Sequence, residues 1–269
     1  MNSQAEGDYL LGTDYEELRR LQMQHWTWQP ETVDLWDHAG FGKGQTILDV
    51  GCGPGLTTLE LAERVGPEGR VVGIDGSEEF IDILRRKAEG ISHIEVVQAD
   101  VRNLDLPAES ADAAFARWLL CFLAEPQAAI EGMARALEPG GILVVMDYYN
   151  YEGFANQPGG NAHFQRVFRA VYESFGVGLD VGGHVPRMMA ACGLEVIETK
   201  EISGVARPGN RIWNWVAEFQ RTYLPELVKR GLLQEDERQA HLNEWREREQ
   251  DPQARLIAPA MVGVIGAKF

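Results

Sequence analysis

The chain has 269 residues, enough for one sizeable core, and 45% are apolar against 25% charged, the balance of an ordinary globular protein. Acidic residues outnumber basic ones 41 to 25, a formal charge of −16. Such a surface repels phosphate backbones and anionic lipid, which argues against nucleic acid and membranes as partners. From the N-terminus, "YEELRRLQMQHWTW" can form a helix with Leu18, Leu21, His25 and Trp28 along one stripe, and Pro30 is expected to open a second short helix. Five short runs rich in Val, Ile and aromatics then read as strands: 46–50, 70–75, 94–100, 112–118 and 141–148. Helix-like segments separate them, with Ser77 suited to a helix start, Pro126 to a first turn, and Pro139-Gly140-Gly141 to a helix stop. Strands alternating with helices imply parallel βαβ units in a doubly wound α/β sheet.

After the fifth strand, 161–176 and 185–193 read as helices and "LEVIETKEI" (194–202) as a strand. A long helical stretch runs from Gly209 to about Gln250, and "PAMVGVIGAKF" closes the chain as another strand. Two late strands thus bracket a helical insertion, expected as a cap over one end of the sheet. The charge-dense 235–250 segment reads as a solvated helix face. The organisation expected is N-terminal lid helices (1–40), a ligand-binding core (41–150) and a remainder (151–269) whose cap spans about 203–257, all in one structural domain.

Three cysteines, Cys52, Cys121 and Cys192, stand far apart without a C-x-x-C pair, which fits reduced thiols better than a disulfide framework or zinc site. The start "MNSQAEGDYLLG" has neither the basic residues nor the apolar run of a secretory signal, and no stretch is apolar over the roughly 18 residues a membrane span needs. A cytoplasmic protein without a metal centre is expected.

The chemistry concentrates in "ILDVGCGPGLTTLEL" (47–61), where Gly51, Gly53 and Gly55 follow a strand and precede a helix. Glycines there let the backbone turn tightly and approach a ligand. A dinucleotide fingerprint would place Gly or Ala where Leu56 stands, and no Gly-Lys-Ser/Thr follows for a P-loop. Asp49 at the strand end would repel a pyrophosphate and welcome a cationic ligand. S-adenosylmethionine, with its sulfonium and amino groups, suits that site.

"LDVGCGPG" resembles the first motif of the class I S-adenosylmethionine-dependent methyltransferases, and four further motifs follow in the family's order. "VVGIDGS" resembles the second-strand motif, which implies that Asp75, with Gly76 beside it, meets the ribose hydroxyls. "VVQADVRNLDLP" resembles the third, implying Asp100 and Val101 at the adenine. "DAAFARWLLCFL" resembles the fourth, implying Arg117 and Trp118 near the sulfonium end, and "MARALEPGGILVVMDY" resembles the helix and strand closing the core. The resemblance covers about Thr46 to Tyr148 and lies nearest to the branch that methylates small metabolites, including ubiquinone/menaquinone-type and natural-product enzymes. It implies a Rossmann-like sheet of seven strands with the last antiparallel. It also implies lid contacts, with Tyr9 and Gln24 as cofactor residues; His25 could close over the cofactor or simply pack.

A hydroxyl nucleophile usually needs a base, whereas an amine need only arrive deprotonated. The base candidates are Tyr148 and Tyr149 after the fifth strand, His184 and His163, while Trp213 or Trp215 could form an aromatic wall. No Asn-Pro-Pro-Tyr or Asp-Pro-Pro-Tyr segment follows the fourth strand, which argues against methylation of nucleic-acid bases or glutamine. The expected activity is methyl transfer from S-adenosyl-L-methionine to an O or N atom of a small metabolite, leaving S-adenosyl-L-homocysteine, by a monomer or homodimer. The alternatives are a cofactor-binding protein that does not methylate, or an NAD-dependent oxidoreductase.

Overall fold

A computed structural model describes residues 15–155, 157, 159, 162–175 and 178–269. The leader forms one continuous helix, α1 (Tyr15–His38), which runs through Pro30. The expected second helix does not arise. Proline removes one hydrogen bond at a cost of about 3 kcal/mol, and burial of Trp28, Leu35 and Trp36 on one face outweighs it at roughly 1.5–3 kcal/mol per large side chain.

The alternating units follow: β1 (Thr46–Val50), α2 (Leu56–Val65), β2 (Arg70–Asp75), α3 (Glu78–Lys87), β3 (Ile94–Gln98), β4 (Ala111–Arg117), α4 (Pro126–Ala136) and β5 (Leu137–Asn150). Ser77 caps α3, its hydroxyl accepting from the Phe80 amide. Next come α5 (Ala162–Phe175), α6 (Val185–Ala191), β6 (Leu194–Ile202), β7 (Val205–Ala206), α7 (Arg211–Lys229), α8 (Glu235–Gln250), β8 (Leu256–Ile257) and β9 (Ala260–Lys268). The main sheet has seven strands in the order β3-β2-β1-β4-β5-β9-β6. β1 to β5 pair in parallel, and β9 runs antiparallel between β5 and β6. The seven-stranded α/β sheet with its last strand antiparallel is as expected. β1 lies between β2 and β4, so the chain reverses its direction of travel there, and the crevice beyond those carboxyl ends is where open sheets bind ligands.

The insertion between β6 and β9 is two helices rather than one, broken at Gly231 with φ at +73°. The short β7–β8 ribbon closes its base. α8 is largely exposed, as its charge pattern implies, and turns only His241 and Trp245 fully inward. α7 docks on α1: Trp28 and Trp215 meet edge to face at 5.4 Å, and Arg19 pairs with Glu218 at 2.9 Å. Leader and cap therefore form one wall over the strand ends. No helix among the described residues is long and apolar enough to cross a membrane.

Candidate functional site

A cavity of about 1300 Å³, its mouth included, opens at the carboxyl ends of β1, β2, β4 and β5. Its walls differ in chemistry. The strand-end wall carries Asp49, the Gly51-Cys52-Gly53-Pro54 turn, Asp75 and Arg117; the opposite wall is aromatic and comes from β5, α5, α7 and the loops between them.

Asp49 is 2% exposed, and one carboxylate oxygen accepts from Thr57 Oγ1 at 2.8 Å and Thr58 Oγ1 at 2.6 Å. Burial raises its pKa, with the two hydroxyls acting against that rise. Asp75 ends β2 and accepts from the Gly53 amide at 2.8 Å and the Ser77 amide at 2.9 Å, so it ties the glycine turn to the start of α3. Burial raises its pKa too, opposed by those amides.

Two of the three glycines serve the chain itself. A Cβ on Gly51 would stand 2.8 Å from Leu119 Cδ1, and one on Gly55 2.2 Å from Leu84 Cδ1. Only Gly53, at φ +53°, faces open space. Close approach to a ligand is thus required at one position, and the neighbouring glycines answer to packing and to left-handed backbone.

Arg117 ends β4. Its Nη1 donates to Thr32 Oγ1 and its Nη2 to His25 Nδ1, both at 2.9 Å, while the guanidinium lies 4.9 Å over the Trp118 ring. Burial lowers its pKa to about 10. Since His25 Nδ1 accepts, its Nε2 carries the proton and donates to Glu60 at 3.1 Å. His25 is therefore a packed link behind Arg117 and does not line the cavity. Trp118 adopts φ +50°, rare for a bulky residue, and this turn aims its ring into the cavity beside Tyr148.

The aromatic wall includes Phe122, Tyr148, Tyr151, Phe154, Phe175, Trp215 and Phe219. Burial pushes the Tyr148 and Tyr151 phenols far above the ordinary range, which favours the protonated form. Tyr148, expected as a base candidate, does line the cavity. Behind them Asp147 is fully buried and accepts from the amides of Tyr148 at 2.8 Å and Cys121 at 3.2 Å; burial pushes its pKa up to about 6.

Other expected residues stand apart. Tyr149 is 53% exposed and His184 lies on an exposed turn, so neither reaches the cavity as a base. The Asp100 carboxylate is turned to Arg102 in a two-pronged pair, Nε to Oδ1 and Nη2 to Oδ2, both at 2.9 Å, and neither it nor Val101 lines the cavity. Gly55 and Gly76 also lie outside the lining, and Tyr9 falls outside the described residues. Gln24, Asp49, Gly51, Gly53, Asp75, Arg117, Trp118 and Tyr148 do converge on it. Arg20, Thr57, Phe80, Tyr151, Phe154 and Phe219 line it as well and were missed. Thr57 could have been found, since it stands two residues after Gly55 in the first turn of the helix that follows; the aromatic residues carry no local signal.

The Methyltransferase domain family matches residues 48–145. A protein of Streptomyces fradiae, the uncharacterized 37.1 kDa protein in transposon TN4556, is 41% identical over 102 residues, 38% of this chain and 30% of its own length. The demethylmenaquinone methyltransferase of Listeria welshimeri is 31% identical over 154 residues, 56% of this chain and 62% of its own. The chain thus spans less than two thirds of either curated relative. Among solved structures, a SAM dependent methyltransferase from Aquifex aeolicus superposes with a TM-score of 0.53 at 23% identity, covering 71% of this chain and 93% of that one. The family match over the core and the shared fold bear out the resemblance.

Proposed function

We propose, from a core that is a class I S-adenosylmethionine-dependent methyltransferase domain, that this chain transfers a methyl group to an oxygen or nitrogen atom of a small molecule. The observation that supports this most is the strand-end wall, where buried Asp49 and the half-buried Asp75 and Arg117 flank an open glycine turn. These residues fit the cofactor. Asp75 spends amide bonds on both carboxylate oxygens, and a carboxylate offers about four acceptor sites, so positions remain for a ribose diol. Asp49 faces the amino group, and Gly53 leaves room for the methionyl chain. Arg117 fits the cofactor's carboxylate rather than its sulfonium, since like charges repel in a low-dielectric pocket. Asp100 is not assigned to the adenine, because its carboxylate is already spent on Arg102.

When bound, the cofactor supplies an electrophilic methyl group. The chain's own part is to hold the acceptor in line with it and to exclude water, which the aromatic wall does. No cavity side chain among the described residues is a histidine, lysine or glutamate, and burial favours the protonated form of the Tyr148 and Tyr151 phenols. The attacking atom therefore arrives deprotonated or needs no side-chain base. With radiolabelled S-adenosylmethionine and a panel of small phenols and amines, label is expected in an acceptor, and Tyr148→Phe is expected to keep the rate within about tenfold, whereas losing a general base costs roughly 100- to 10,000-fold. A panel-wide absence of transfer by protein that binds the cofactor, or a loss in Tyr148→Phe as large as that of a base, contradicts the proposal.

A further inference from the structure

The acceptor half of the cavity is not wholly apolar: beside the Tyr148 and Tyr151 phenols it holds a carboxamide whose orientation its neighbours fix. Gln24, on α1, is 7% exposed and lines the cavity. Its Oε1 accepts from Arg20 Nη1 at 2.6 Å and from Trp215 Nε1 at 3.2 Å. Neither donor can accept, so the oxygen end of the carboxamide is fixed and the NH2 end is left over. That NH2 has no protein partner among the described residues. With the oxygen end fixed, the NH2 is the end left to bond whatever enters the cavity, and a ligand oxygen that replaces solvent there keeps that hydrogen bond while an apolar group forfeits it.

The surroundings select the kind of ligand. Trp118, Tyr148, Tyr151, Phe154 and Phe219 offer flat apolar faces. The cation on this side, Arg20, is buried and matched by Glu17 through bonds of 2.6 and 2.7 Å. Its guanidinium lies 6.0 Å from the Phe219 ring centroid. An anionic acceptor would shed its water there without an unmatched charge in return, and a cationic one would meet the guanidinium beside the rings.

We propose that Gln24 is a positioning residue for the methyl acceptor, donating from its NH2 to a neutral carbonyl oxygen, and that the acceptor is an uncharged, flat aromatic molecule carrying that carbonyl. This rests on the reading of the strand-end wall as the cofactor's half. The residue belongs to the acceptor's subsite rather than to the cofactor's, where the lid resemblance placed it.

The test compares naphthalene probes by calorimetry on protein saturated with S-adenosylhomocysteine. 2-Acetylnaphthalene is expected to bind about tenfold more tightly than 2-ethylnaphthalene, which lacks only the carbonyl, and more tightly than 2-naphthoate or (2-naphthylmethyl)trimethylammonium; tenfold is the equivalent of about 1.4 kcal/mol. In Gln24→Met the acetyl advantage falls to within about twofold while S-adenosylhomocysteine affinity changes by less than about threefold. Gln24→Glu keeps an oxygen for Arg20 and Trp215 and, ionised beside the Arg20 guanidinium, puts an acceptor and a negative charge where the donor stood, so it gives at least the same loss. Equal binding of the acetyl and ethyl probes, an advantage that survives in Gln24→Glu, or tighter binding of either charged probe overturns the inference. Should wild type bind no S-adenosylhomocysteine, the methyltransferase reading falls, and the same probe comparison on the protein alone still decides the role of Gln24.

Discussion

Gly51, Gly53 and Gly55 stand in one turn, and each is a glycine for a different reason. Gly51 and Gly55 combine positive φ with neighbours that leave no room for a Cβ, Leu119 in one case and Leu84 in the other. Gly53 has the backbone conformation and the space. Their alanine variants should therefore separate stability from binding. Gly55→Ala is expected to lower unfolding stability by about 2–4 kcal/mol, the left-handed cost of roughly 1–2 plus overpacking of about 1–3. Gly53→Ala should lose only about 1–2 kcal/mol and weaken cofactor binding instead, because its methyl points at the ligand. Urea unfolding and calorimetry on the two variants check this, and equal stability losses would contradict it. Such distinctions are not legible in the sequence, where all three glycines share one spacing. What is legible is the site's acidic pair, since Asp49 and Asp75 stand at recognisable strand ends. Asp100, identified by the same logic, turns to Arg102 two residues on, a side-chain pairing that no motif reports.

At the scale of elements, α1 and α7 act as a unit. Trp28 is fully buried against Trp215, which itself lines the cavity and holds Gln24. Trp28→Ala should cost about 3–5 kcal/mol, as for other large buried aromatics, and should loosen the acceptor wall more than the strand-end wall. The expected signature is a lower urea midpoint with acceptor binding impaired beyond cofactor binding; a midpoint within error of wild type would contradict the account. The alternating strands and helices of 46–148 were readable because each carries its own period and its own turn residues. The continuity of α1 through Pro30 was not, because local chemistry argues for a break and only the tertiary burial of Trp28, Leu35 and Trp36 overrides it. The split of the cap at Gly231 was missed because a lone glycine inside a helical pattern is often tolerated.

Across the whole molecule, two buried ionisable groups set opposing pH responses. Burial pushes His241 down to about 4, below its unfolded value near 6.5, so its contribution is present above the unfolded value and lost as pH falls toward 4. Burial pushes Asp147 up to about 6, above its unfolded value near 3.9, so its contribution is present at low pH and lost as pH rises through 6. Each is of the order of 3 kcal/mol at about 1.4 kcal/mol per pH unit. The two largely offset one another between about pH 4 and 6.5, and single variants should unmask them. His241→Gln should remove the acid-side loss, and Asp147→Asn the loss on going above pH 6; urea unfolding from pH 4 to 8 reads both, and parallel profiles for wild type and variants would contradict the assignment. The aromatic half of the cavity belongs to this scale as well. It draws on α1, the turn after β4, β5, α5 and α7, residues from Leu21 to Phe219, and no window of sequence shows them meeting.

The central claim is that S-adenosylmethionine occupies the strand-end half of that cavity, held by Asp75. Calorimetric titration of wild type and Asp75→Ala with S-adenosylmethionine, beside NAD, tests it most directly. The account predicts one cofactor per chain at micromolar affinity, weakened by about tenfold or more in Asp75→Ala, where a charge-assisted hydrogen bond worth about 1.5–3 kcal/mol is lost, and no binding of NAD. Folded wild-type protein that gives no heat with S-adenosylmethionine, or an Asp75→Ala variant that binds it as tightly as wild type, would contradict it.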